Sequence, residues 1–287
     1  MSKVKCFYHS SDFDGHCSGA IVKLYHPNAK MYPINYDDIF PWDEIEKDDI
    51  IYMVDFGLQP FSDMIKLNKM CDMLIWIDHH KTAIDNMKES GEKFYGIQRN
   101  GIGACALVWE YFKTKNKIPY CVELLAEYDV WNHSNPHTLS FQYGLRTFKD
   151  THPIDENMYL WKKVFKSTYE FIDDTCDIGN IILDYEKQIN KKVCEIQAFE
   201  TYLQDYFAIA INRGISSSKM FDSVWNNEKY DLMISFYISN KNEWFVSLYT
   251  DKEGVNVGEI TKSFGGGGHI RAAGFQCKEL PFKFTYK

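Results

Sequence analysis

The sequence predicts a two-lobed α/β protein with a parallel sheet in its first half, and three observations carry that expectation. Short, bulky apolar runs at 4–8, 50–54 and 73–77 read as strands buried on both faces. They alternate with helical patterns near 16–25, 60–70, 104–114 and 119–128, the order expected of βαβ units. From about 155 to 204 the pattern changes to long polar helices, one of them expected over 178–203, and new strands follow at 207–211, 232–237 and 244–249. The expected division is a catalytic sheet domain at 1–150, a helical connector at 151–205 and a smaller α/β domain at 206–287.

Taken in order, the strands end in residues that bind metals. The first runs directly into His9-Ser10-Ser11-Asp12-Phe13-Asp14-Gly15, and the helical pattern beyond it leaves His9, Asp12 and Asp14 on a strand-to-helix loop. The strand at 50–54 stops at Asp55, and that at 73–77 stops at Asp78-His79-His80. Gly101-Ile102-Gly103-Ala104 opens a helix, either as a plain helix start or as part of a phosphate site, and the helix at 119–128 delivers Asp129.

An Asp-His-His triplet alone fits a helix cap or a loop hydrogen bond equally well. Several strand ends that offer His and Asp together are far less common by chance. The carboxyl edge of an open α/β sheet is where such folds bind ligands. Carboxylate oxygens and imidazole nitrogens suit a borderline-hard divalent ion, Mn²⁺ best, with Mg²⁺ or Co²⁺ as alternatives. Six such ligands exceed what one ion usually takes from a protein, so two ions are expected.

On these residues the chain resembles the DHH phosphoesterase superfamily. Its four N-terminal motifs look like His9 to Gly15, Val54-Asp55, Asp78-His79-His80 and Tyr128-Asp129. A fifth block, Gly265-Gly266-Gly267-Gly268-His269-Ile270-Arg271-Ala272-Ala273-Gly274, is similar to the signature of the C-terminal domain in the nanoRNase branch. The resemblance implies a mixed sheet in the smaller domain and an active site in the cleft between the lobes. It implies one ion on His9, Asp12 and Asp55 and a second on Asp14, Asp55, His79 and Asp129, with Asp55 bridging. Asp78 would orient an imidazole, and His80 would face the substrate, so these two are the expected catalytic pair.

In the glycine block, Gly266, Gly267 and Gly268 let backbone N–H groups approach an anion, His269 and Arg271 add charge, and a helix is expected to open at 270–273. The alternative is a flexible surface hinge. Two departures from the family pattern stand out. The first motif separates His9 from Asp12 by one residue fewer than usual. Tyr249 stands where related nanoRNases carry an Arg, which exchanges a phosphate-reading fork for a ring that can stack on a base.

The implied activity is hydrolysis of short oligonucleotides or linear dinucleotides to nucleoside monophosphates by a two-metal mechanism. Alternatives are a hydrolase of a bisphosphonucleoside or cyclic dinucleotide, a single-strand exonuclease, and a phosphate-ligand sensor without catalysis. The 287 residues carry 32 Lys plus Arg against 40 Asp plus Glu, a net charge of −8. That balance argues against long nucleic acid as the main ligand. Eight cysteines without a C-x-x-C pair, no signal-peptide core and no spanning apolar run give the expectation of a cytoplasmic protein with no membrane partner. Oligomeric state is left open.

Overall fold

The computed structural model describes residues 3–36, 38–112 and 117–284. Its contacts divide the chain into two compact units, Met1–Ile182 and Leu183–Lys287.

The first unit holds β1 (Val4–His9), α1 (Phe13–Tyr25), β2 (Lys30–Ile34), β3 (Ile50–Val54), α2 (Ser62–Met70), β4 (Met73–Asp78), α3 (Lys81–Ser90) and β5 (Tyr95–Gln98). Helices α4 (Ala104–Phe112), α5 (Tyr120–Asp129), α6 (His137–Leu145) and α7 (Met158–Lys166) follow. The five strands form one parallel sheet in the order β2-β1-β3-β4-β5. Alternate residues of the central strands feed two cores. Cys6, Tyr8, Tyr52, Val54, Ile75 and Ile77 pack with α1, α4 and α5, whereas Phe7, Ile51, Met53, Leu74 and Trp76 pack with α2. Burial on both faces explains why these strands read as continuous apolar runs. The chain leaves β1 for β2 on one side and resumes at β3 on the other, so the strand order reverses between β1 and β3. A crevice outside the carboxyl ends opens at such a point.

The edge strands β2 and β5 were not expected from the pattern. Pro33 lies in β2 and Gly96, at φ 114°, in β5. Both residues weaken a strand signal and are tolerated at an edge, where one side of the ladder needs no partner.

Helix α8 (Tyr169–Gln197) carries the chain from the first unit into the second. The unit boundary falls inside it. The helix expected over 178–203 is corrected at its end: α8 stops at Gln197, and Phe199–Leu203 is a strand, β6, paired with β7 (Tyr206–Asn212). Alternation of Phe199, Thr201 and Leu203 inward wins over the helical spacing.

The second unit continues with β8 (Leu232–Ile238), β9 (Trp244–Tyr249), α9 (Val257–Lys262), β10 (Gly267–Gly268) and β11 (Ala272–Cys277). Its sheet has the order β10-β11-β9-β8-β7-β6, with β7 and β8 parallel and the other neighbours antiparallel, so it is mixed as expected. The helix expected at 270–273 is replaced by a hairpin. Gly267 and Gly268 pair with Gly274 and Ala273, and the His269 N–H donates to Ala272 O at 2.8 Å. Glycine is required there: Gly268 has φ 143°, and a Cβ on it would lie 2.6 Å from Ala273 Cα.

Candidate metal centre

The carboxyl ends of β1, β3 and β4 bring the expected ligands of the first unit together. His9 is the last residue of β1, Asp55 follows β3 directly, and β4 ends at Asp78 with His79 and His80 beyond. His79 Nε2 lies 3.1 Å from Asp129 Oδ2, 3.3 Å from Asp55 Oδ1 and 3.8 Å from Asp14 Oδ2. His9 Nδ1 lies 3.1 Å from Asp12 Oδ2 and 3.6 Å from Asp55 Oδ2. Donor atoms of His9, Asp12 and Asp55, of Asp14, His79 and Asp129, and of Asp55, His79 and His80 form three overlapping groups, each within 4.8 Å.

Local structure explains how each ligand is held. Asp12 caps α1 by accepting the Gly15 N–H at 2.9 Å, which leaves Oδ2 toward His9. Asp14 accepts the Ala104 and Cys105 N–H groups at 2.6 and 2.7 Å. The first amides of α4 are thus spent on a metal-ligand candidate, where the dipole favours its charge. Gly101 to Ala104 is therefore a helix start that clamps Asp14. Asp55 stands at φ 54°, a left-handed conformation costing a non-glycine residue about 1–3 kcal/mol, and its N–H donates to Ile77 O at 2.9 Å. Asp78 Oδ1 accepts from the His79 N–H at 2.7 Å, the His80 N–H at 3.2 Å and His80 Nδ1 at 2.7 Å. That bond holds the ring of His80 against Asp78.

The electrostatics call for cations. Burial raises Asp14 well above the usual carboxylate range, and the Asp55 and Asp129 charges add to it. Asp55 is likewise raised, by burial and then by Asp12. Burial opposes charge on His79 as well, yet Asp129, Asp55 and Asp14 push it up to about 12. His9 reaches about 10, where Asp12 and Asp55 outweigh burial, and His80 reaches about 9, where Asp78 does so.

The donors fit divalent ions. His9 Nδ1 and Asp55 Oδ1 are buried without a hydrogen-bond partner, so their short separations from neighbouring donors are not hydrogen bonds. Four carboxylates and two imidazoles this close together form a donor set that could hold divalent cations.

Some residues at this edge escaped the sequence. Tyr36, half-exposed, packs its ring 4.7 Å from Phe56 and 5.8 Å from His9. His16, on the buried face of α1, bonds to Thr151 and Ser10 O. His152 bonds Tyr8 OH at 2.8 Å. Partners 135 and 144 residues apart leave no local signal.

In the second unit, His269 and Arg271 are exposed on the β10–β11 turn. Gly266 N donates to Thr261 O at 2.9 Å and Gly265 N to Lys262 O at 3.0 Å, so part of the expected amide cradle is used within the fold. Tyr249 donates its hydroxyl to Ser216 O at 3.0 Å and is half-buried in the core below β9.

Fold and donor set define an α/β protein whose His and Asp side chains at a sheet switch point could hold divalent metals. Residues 205–283 match the model of the DHHA1 domain. The solved structures similar to this chain include the pGpG-specific phosphodiesterase PggH from Vibrio cholerae, 14% identical with TM-score 0.57 over 96% of this chain and 93% of that one. The DHH domain of a protein assigned to a ribosomal-protein family aligns at 12% identity and TM-score 0.56, over 99% of this chain and 83% of that one. An exopolyphosphatase-related protein from Bacteroides fragilis aligns at 14% and TM-score 0.52, over 97% and 88%. An uncharacterized protein of Acanthamoeba polyphaga mimivirus is 26% identical over 249 residues, 81% of this chain; the chain spans about half, 54%, of that relative. The chain thus has a fold similar to that of DHH-domain structures, and its residues 205–283 match the DHHA1 domain. Among the described residues no helix is long and apolar enough to cross a membrane.

Proposed function

We propose that the protein is a Mn²⁺-dependent phosphodiesterase that hydrolyses short oligonucleotides or linear dinucleotides to nucleoside monophosphates. The observation that carries this reading is the sharing of Asp55 and His79 between overlapping donor groups, beside a His80 ring held by Asp78. His9, Asp12 and Asp55 would hold one ion, and Asp14, Asp55, His79 and Asp129 the other. Bound there, the ions would supply positive charge for phosphate oxygens and lower the pKa of water.

The chain's own residues do the rest. Asp55 holds both sites in register through its fixed backbone, and Asp78 keeps the His80 ring oriented so that Nε2 can donate to the leaving oxygen. Nearby, the exposed Tyr36 ring, backed by buried Phe56, offers an aromatic face for a ring of the substrate. In the second unit, His269 and Arg271 would bind a substrate phosphate, with Gly266, Gly267 and Gly268 allowing close approach and Tyr249 replacing an arginine fork. The net charge of −8 favours small ligands over long polyanions. PggH, with a similar fold, is named for activity on pGpG.

The test is a Mn²⁺-supplemented assay that compares kcat/KM for pGpG, other dinucleotides, longer oligomers, a bisphosphonucleoside, a cyclic dinucleotide and polyphosphate. Preference for substrates of two to a few nucleotides is expected, and Asp55→Asn should lose turnover by several orders of magnitude while remaining folded. Activity that rises steadily with strand length would overturn the short-substrate reading in favour of an exonuclease.

A further inference from the structure

A second polar cluster lies behind the candidate metal centre, within Met1–Ile182 and formed by none of its ligands. His16 is buried on α1, 7% exposed, and its ring makes two hydrogen bonds: Nε2 with Ser10 O at 3.0 Å and Nδ1 with Thr151 Oγ1 at 2.7 Å. A carbonyl oxygen only accepts, so Nε2 carries the proton and donates, and Nδ1 accepts the Thr151 hydroxyl. His152 lies beside it, ring centroids 4.3 Å apart, and its Nδ1 meets Tyr8 OH at 2.8 Å.

The two residues reached are the chain neighbours of His9. Tyr8 precedes it and Ser10 follows it, so the histidine pair holds the Tyr8 side chain on one side of a candidate ligand and the Ser10 backbone carbonyl on the other. Residues 151 and 152 are anchored in turn. Trp161 Nε1 donates to Thr151 O at 3.0 Å, Asn157 Nδ2 to His152 O at 3.0 Å, and the His152 N–H to Asp150 Oδ1 at 2.9 Å. On its far side the loop is tied to the sheet edge by Ser10 N, which donates to Ile34 O at 3.0 Å, and by Asn35 Nδ2, which donates to Ser11 Oγ at 2.8 Å.

We propose that His16 is a positioning residue, which together with Thr151 fixes the Ser10 peptide so that His9 and Asp12 meet the same divalent ion. The inference rests on the two-ion reading above. His9 and Asp12 share one short loop, and a small rotation of the Ser10 carbonyl swings the backbone that carries both. Groups that hold a ligand from behind commonly change metal affinity by about 10–100-fold when removed. The ion on Asp14, Asp55, His79 and Asp129 shares only Asp55 with the His9 and Asp12 site, so the two sites should respond differently.

The experiment is calorimetric Mn²⁺ titration of the full chain without substrate, with thermal unfolding of the metal-free protein alongside. The unsubstituted protein should show two binding steps. In His16→Phe, which keeps an aromatic ring, though a larger one, and deletes both bonds, one step should weaken about 10–100-fold and the other little. Thr151→Val should act in the same direction, and Thr151→Ser, which keeps the hydroxyl, should restore the affinity. A lower unfolding temperature with both Mn²⁺ affinities intact would make His16 a packing residue and overturn the proposal. Equal weakening of both steps, or no rescue by Thr151→Ser, overturns it too. Absence of two steps in the unsubstituted protein instead defeats the two-ion reading, a result the variants cannot mimic.

Discussion

Gly15 stands so close to His9 that a Cβ on it would lie 2.1 Å from the His9 carbonyl oxygen. No rotamer relieves that contact, because the obstacle is backbone. The strand-to-helix turn therefore closes only with glycine at this position, and the same residue's N–H donates to the Asp12 carboxylate that caps α1. Gly15→Ala should force α1 away from the end of β1 and separate His9 from Asp12. The expected outcome is loss of Mn²⁺ binding by at least about tenfold together with a lower unfolding temperature. Gly254→Ala is a control, with open space around its Cβ though a positive φ of 82°, and should cost stability without touching Mn²⁺ affinity. Matching metal affinities in the two variants would show that the turn does not set the ligands.

Metal binding should release protons. Without ions, His9 and His79 are pushed up to about 10 and about 12 and hold protons at neutral pH. Ligation requires neutral imidazole, so each ion must displace a proton. The sign follows: below these values protons compete with the metal, and Mn²⁺ affinity should rise with pH by about tenfold per unit for each proton displaced. Calorimetry in buffers of different ionisation heat at pH 6 to 8 counts the protons. A binding heat independent of buffer would contradict the ligand assignment of both histidines.

How much of this site could be read beforehand depended on range along the chain. Asp55 and Asp78 to His80 stood out because the strands before them are buried on both faces and end abruptly in polar residues. Edge strands gave no such contrast: Pro33 and Gly96 interrupt them, and their outer sides need no apolar pattern. Four successive glycines carry no periodicity at all, and the hairpin that replaces the expected helix is set by backbone conformation, with Gly265 and Gly268 at positive φ. The clamp of α4 on Asp14 joins residues 90 and 91 apart, and the grip of Thr151 on His16 spans 135. Such pairings are made by the fold, and no short window of sequence contains them.

Asp78 offers a separation of orientation from metal binding. Its Oδ1 collects three donors from His79 and His80, and its Oδ2 is buried without a hydrogen-bond partner. Asp78→Asn preserves shape and one acceptor but removes the charge that holds the His80 imidazole. A charge-assisted bond is worth about 1.5–3 kcal/mol, so kcat should fall roughly ten- to a hundredfold with KM little changed and two Mn²⁺ still bound. A rise in KM alone would place His80 in ground-state binding instead.

The second unit should contribute affinity rather than chemistry. His269 lies on an exposed hairpin turn, among residues of which none belongs to the donor groups of the first unit. Its N–H donates to Ala272 O, and the substitution tests its ring alone. His269→Ala should therefore leave Mn²⁺ content and metal-free stability unchanged. Loss of one charge-assisted bond to the phosphate lowers kcat/KM roughly ten- to a hundredfold. Arg271→Ala tests the adjoining charge, and Tyr249→Arg should shift preference toward substrates with a terminal phosphate if that strand position faces it. Loss of an ion in His269→Ala would make His269 a metal ligand. Unaltered kinetics in both His269→Ala and Arg271→Ala would reduce the glycine hairpin to a structural turn, and the search for the phosphate grip would then move to Tyr36 and the loop beyond β2.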